Sequence, residues 1–170
     1  MDGLFSNSEY RNMVNKKMAG NSPEPFASFS MENAGYIRTL FLDEAEYQVD
    51  ILAFGFEDLL YGSYPFLLKK AAERLHRNGG KIRVVTINGE KDPNLEAMNQ
   101  IDGFEYIPAH CKFPEKVNFY MVVDGKRYHL EQLRHNGGYS YAEVCCFGPK
   151  KAAELISFFD ELWNSLTDGK

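Results

Sequence analysis

The sequence predicts an α/β fold: a mixed, largely parallel sheet of about six to seven strands with helices on both faces. Two observations carry that expectation. Short runs rich in β-branched and apolar residues, such as 47–54 (YQVDILAF) and 81–87 (KIRVVTI), alternate with longer stretches of helical period. These two runs are joined by an apolar-striped helix, and a strand-helix-strand unit of that length closes as a parallel pair with a right-handed crossover.

Taken in order, residues 1–28 read as an N-terminal arm, partly ordered, with Pro23 and Pro25 and a short helix around 8–18. Residues 29–170 read as one α/β domain. Ser30 is placed to cap a helix over 31–46, whose apolar residues Met31, Ala34, Ile37, Leu40, Phe41 and Ala45 recur at helical spacing. Strand 47–54 follows, with Asp50 set in an otherwise apolar run, in a polar pocket or near solvent. Helix 64–78 has Pro65 in its first turn and stops at Gly79-Gly80. Beyond strand 81–87 come a short helix over 93–101, a strand over 104–109, and a hairpin of 117–124 and 127–132 about Gly125-Lys126. A last strand, 141–147, leads through Gly148-Pro149 into a helix over 150–166.

Composition bounds the function. A chain of 170 residues supports one substantial core and is short for two domains. Its formal charge of -5 gives no overall attraction for phosphate backbones or anionic membranes. No apolar run reaches the roughly 18 residues of a membrane span, and the start MDGLFS lacks a secretory signal's order, so a cytoplasmic location is expected. Cys111, Cys145 and Cys146 have neither the spacing of a zinc site nor the pattern of a disulfide framework. Buried strand thiols are the reading they fit. No glycine fingerprint implies a nucleotide, and no cofactor is expected.

From Tyr36 onward this order of elements, with MVVDGK in the seventh place and FFDELW at the end, resembles one half of the phospholipase D superfamily. Members carry His-x-Lys-x4-Asp-x6-Gly-Ser-x-Asn at this strand. The resemblance implies a nucleophilic His and a phosphate-holding Lys there. With the family Asp on Asp124, the His position is Val117, the Lys position is Phe119, and Gly-Ser is Glu131-Gln132. Valine forms no phospho-enzyme and phenylalanine neutralises no phosphate. The resemblance, over about residues 36 to 165, therefore implies the fold with a degenerate motif. It also implies a homodimer, since single-half members pair two copies about a two-fold axis.

Several residues remain candidates for what replaced the motif. His110-Cys111-Lys112 spells His-x-Lys seven residues early, as nucleophile and phosphate clamp or as ordinary loop residues before Pro114. His129 and Glu131 share one strand face and, with Asp124, form either a polar ligand-binding cluster or a solvated rim. Arg134 opens the polar loop Arg134-His135-Asn136-Gly137-Gly138, which suits an anion or a mobile connection. Asn88-Gly89-Glu90-Lys91-Asp92 follows a buried strand, where open α/β sheets bind ligands. Phe54, Phe56, Tyr61, Tyr64 and Phe66 crowd one connection as a stacking platform or an interface. Lys69, Lys70, Arg74, His76 and Arg77, then Lys81 and Arg83, make the one local basic patch.

Three functional classes follow. The first is a catalytically degenerate phospholipase D-like module that binds, regulates or scaffolds, as a homodimer. The second is an active phosphodiesterase or nuclease with its site relocated to His110, Lys112 and His129. The third is an interaction protein whose arm docks on a protein partner. A nucleic acid or phosphate ligand stays open as an alternative without support from the composition.

Overall fold

The computed structural model describes residues 7–54, 64–87, 90–109, 117–133 and 139–168. In chain order the elements are α1 (Asn7–Ala19), β1 (Phe26–Ser28), α2 (Met31–Asp43), β2 (Gln48–Ala53), α3 (Tyr64–Arg77) and β3 (Lys81–Thr86). They continue with α4 (Pro93–Met98), β4 (Phe104–Pro108), β5 (Tyr120–Val123), β6 (Arg127–Leu133), β7 (Tyr139–Cys145) and α5 (Pro149–Thr167). The strands form one sheet in the order β1-β7-β6-β5-β2-β3-β4.

The α/β architecture with a mixed sheet and helices on both faces is the one the sequence predicts. Its parallel part is confined to β2-β3-β4, and β5, β6, β7 and β1 add on antiparallel. β5–β6 and β6–β7 are antiparallel because short connections join them, whereas a parallel return needs a crossover of a dozen residues or more; β2–β5 and β1–β7 join strands distant in sequence.

Period-two alternation sorts side chains between two cores. β2 turns Val49, Ile51 and Ala53 toward α1 to α4, while Leu52 faces α5. Ile37 and Phe41 of α2 and Leu68 and Leu75 of α3 fill the first core. Phe159 and Leu162 of α5 close the second over Val85, Val122 and Leu130. The first 28 residues add Tyr10, Val14 and Met18 to the first core, and β1 pairs with β7.

Local chemistry sets the element ends. Ser30 Oγ accepts the Asn33 N–H at 3.1 Å and starts α2. That helix ends at Asp43, short of the expected 46, because neighbours claim the following backbone groups. The Arg74 guanidinium donates to the Leu42 and Ala45 carbonyls at 2.5 and 3.0 Å. The Asp124 carboxylate accepts the N–H groups of Glu46, Tyr47 and Gln48 at 2.9, 2.8 and 3.0 Å.

The hairpin turn is also displaced from Gly125-Lys126. Asp124 and Gly125 carry φ of +52° and +64°, and the Lys126 N–H bonds to the Val123 carbonyl at 3.1 Å. That is the Asp-Gly signature of a turn with two left-handed residues. At Gly80 a Cβ would stand 2.0 Å from the Tyr47 carbonyl oxygen, so only glycine lets α3 return to β3 there.

Both sheet edges carry side-chain covers. On β4 the Asn99 amide accepts the Tyr106 N–H at 2.6 Å and donates to its carbonyl at 3.2 Å, filling the place of another strand. On β1 the Tyr10 hydroxyl donates to the Ala27 carbonyl at 3.0 Å. Exposed strand edges otherwise template further pairing.

Candidate functional site

β6 turns Tyr128 and Leu130 toward α5, so Arg127, His129 and Glu131 point into the opposite core. Three ionisable side chains on the inward face of a central strand demand partners. Arg127 donates to the Glu44 carbonyl and the Asn21 side chain at 3.3 and 3.4 Å, which ties the strand to the α2–β2 connection. Glu131 forms an ion pair with Arg38 of α2, both of them buried. His129 lies beside that pair and opposite Met121 in the β5 register. His129 is 1% exposed and Glu131 7%, so this face is not a solvated rim.

The imidazole Nε2 has no hydrogen-bond partner among the described residues. Burial, and then the positive charge of Arg38, hold the His129 pKa well below its ordinary value. The ring is therefore neutral at physiological pH.

These side chains border a partly open cavity of about 20 Å³, with Arg38, Ala53, Phe119, Met121, His129 and Glu131 among its lining. That is room for one water molecule. The cavity lies at the carboxyl end of β2, the end of the parallel strands at which open α/β sheets hold ligands. Phe54 and Phe119 stand together there, ring centroids 6.1 Å apart and tilted by 56°.

The candidate residues are not gathered into one place. Asp124 sits beyond Val123, which pairs with Val49 near the start of β2, and its carboxylate bonds the backbone of Glu46, Tyr47 and Gln48 at the entry to that strand. His129 and Glu131 come together with Arg38 on the inward face, away from Asp124. His110, Lys112 and Arg134 lie outside the described residues. Val117 packs on the α5 side while Phe119 lines the cavity on the other. The strand expected from 117 begins only at Tyr120, so positions 117 and 119 do not share a face.

Arg38 was not among the candidate residues, although its place was readable. It follows Ile37 and lies four residues past Ala34, inside the apolar stripe of α2, where a lone arginine needs a buried carboxylate. Only part of the basic patch stays on the surface, where Lys69, Lys70, His76 and Arg77 of α3 are exposed. Arg74 is spent on α2 carbonyls, and Lys81 pairs with Glu105 at 3.1 Å.

A second polar group lies under α5. Arg83 donates to Asp50 at 2.7 Å and Asp160 at 2.8 Å, with its guanidinium 4.9 Å from the Phe159 ring centre and 5.5 Å from that of Trp163. Gln48 also donates to Asp50, at 2.6 Å. Asp50 thus takes the polar-pocket alternative. Burial, then the charges of Asp50 and Asp160, push the nearby Tyr120 phenol well above its ordinary pKa. Among the described residues no three His, Cys, Asp or Glu side chains converge as metal donors, and no helix is long and apolar enough to cross a membrane.

No protein-family model matches the chain, and no curated protein does. Solved structures do. TrmBL2, described as an archaeal chromatin protein with a novel mode of DNA binding, is similar over 91% of this chain at a TM-score of 0.61 and 14% identity. Polyphosphate kinase from Porphyromonas gingivalis is similar over 100% of it at 0.60 and 13%. The chain spans 59% and 30% of those two chains, respectively. At such identities the likeness speaks for the fold alone.

Proposed function

We propose that this chain is a catalytically degenerate phospholipase D-like half that works as a homodimeric binding or scaffold module. One observation carries the reading. At the two positions where the resemblance calls for His and Lys, Val117 and Phe119 stand on opposite sides of the sheet. On this register a valine and a phenylalanine that share no face support the degenerate reading. The groups nearest that place support the same reading, because Arg38 is neutralised by Glu131 and His129 is buried and uncharged. A buried, neutral imidazole beside a one-water cavity offers no access to a phosphodiester, which speaks against a relocated site that uses His129.

A protein partner suits this reading better than nucleic acid. The net charge is -5, and Arg74 and Arg83 of the basic patch are committed to internal acceptors. The test is hydrolysis of bis(p-nitrophenyl) phosphate by purified protein. Turnover should not exceed that of a buffer control, and activity that disappears in His110→Ala or Lys112→Ala would establish the relocated phosphodiesterase instead.

A further inference from the structure

The outer flank of α5 carries a feature that the inward polar group does not explain. A groove of about 540 Å³ runs between this helix and strands β5 and β6, floored by Leu130, Leu155 and Leu162, with Phe158 at its rim. Phe158 is 43% exposed beside that apolar floor. Lys151 lines the groove toward one end of the helix and Glu161 toward the other.

The charge order on α5 runs against the helix dipole. Its first turn holds Lys150 and Lys151 with no acidic residue, whereas Asp160 and Glu161 fall in its second half and no basic residue occupies its last turn. A helix alone prefers the reverse, because its N-terminus is partially positive and its C-terminus partially negative. An antiparallel copy of the same helix removes the conflict. Lys151 and Glu161 are ten residues apart, about 15 Å along the axis, so a two-fold axis crossing the outer flank at the level of residue 156 sets each Lys151 against the other copy's Glu161. The same axis brings Phe158 within about 3 Å of the midpoint, measured along the helix, where it faces the other copy's apolar groove. Lys151 also bonds Glu154 at 3.2 Å, and its ammonium retains further donors for a second carboxylate.

The geometry points to this flank of α5 as the surface on which a second copy of the chain docks, helix against antiparallel helix, with Phe158 seated in the opposing groove. The sheet edges support the choice of a face. Asn99 on β4 and Tyr10 on β1 occupy backbone groups that a strand-to-strand dimer would use.

The inference rests on the homodimer reading above, and the experiment separates the two. Light scattering after size exclusion of the full chain should give twice the monomer mass. Lys151→Glu, Glu161→Lys and Phe158→Asp should each weaken association at least tenfold. Mixing Lys151→Glu with Glu161→Lys at equal concentration should restore the dimer, because both contacts are then again between opposite charges. Lys151→Glu places an acid at the helix N-terminus, so its melting temperature at concentrations where native protein is monomeric should be no lower than native. A monomeric native protein overturns both the homodimer reading and this surface. A native dimer that survives all three substitutions, or single variants that stay monomeric when mixed, overturns the surface and leaves the homodimer reading standing.

Discussion

Glu131 and Arg38 neutralise each other in the interior, and removing one of them strands the other. Glu131→Gln should cost about 3 to 5 kcal/mol in urea unfolding, the usual penalty for an uncompensated buried charge. The paired change Arg38→Met with Glu131→Leu should cost much less than the sum of the single losses. His129 adds a pH dependence whose sign follows from its depressed pKa. The unfolded imidazole takes a proton near its ordinary value of about 6.5, and the folded one refuses it. Stability is therefore complete above that pH and falls as pH drops toward the folded value, with a contribution of up to about 1.4 kcal/mol per pH unit from this group. Urea unfolding of His129→Gln from pH 7 to pH 5 should lose that slope, and a variant with the native slope would refute the assignment. The pattern of β6 placed His129 and Glu131 on one face, but a strand pattern does not say whether that face meets water. Arg38 on α2 was the missing half of that statement.

Among the elements, α5 is held to the sheet through two acids of unequal burial. Asp50 is 1% exposed, and Asp160 has a side chain 46% exposed, although both bond Arg83. Arg83→Leu should cost about 3 to 5 kcal/mol by leaving Asp50 unpaired, whereas Asp160→Asn should stay within about 1 kcal/mol, as for exposed ion pairs. Chemical denaturation of the two variants compares them directly. Asp124 joins a different pair of elements, the β5–β6 turn and the connection from α2 to β2. Asp124→Ala removes the acceptor of three N–H groups and a side chain suited to its positive φ, so a loss of roughly 2 to 4 kcal/mol is expected. The order of helices and strands was legible from periodicity because each element has one apolar face. Its ends were less legible. Where α2 stops depends on Arg74 and Asp124, which are far from it in sequence, and where β5 begins depends on the Phe119 carbonyl meeting Glu131.

At the level of the whole molecule, the sheet separates two cores of different character. One lies under α1 to α4 and encloses the Arg38, Glu131 and His129 group, and the other lies under α5 and includes the stacked Phe159 and Trp163 rings, centroids 5.8 Å apart. The α/β class was legible because the βαβ unit and the hairpin each leave a local signature. The balance of parallel and antiparallel pairing was not, since β5 takes its place beside β2 only through contacts distant in sequence. The covered edges add a prediction at this scale. Asn99→Ala should lower the concentration at which the protein aggregates on mild heating, by light scattering, because the Tyr106 backbone groups become open to another strand.

The seating of β1 against β7 also sets a clock. The Cys145 thiol meets the Pro23 carbonyl across 122 positions of chain, and β1 pairs with the strand that ends at Cys145. At translation rates of about 5 to 20 residues per second, roughly 6 to 24 s pass between synthesis of the first strand and of its partner. Throughout that interval the nascent chain carries Phe26 without its partner strand, so the edge of the sheet closes only after β7 has been made.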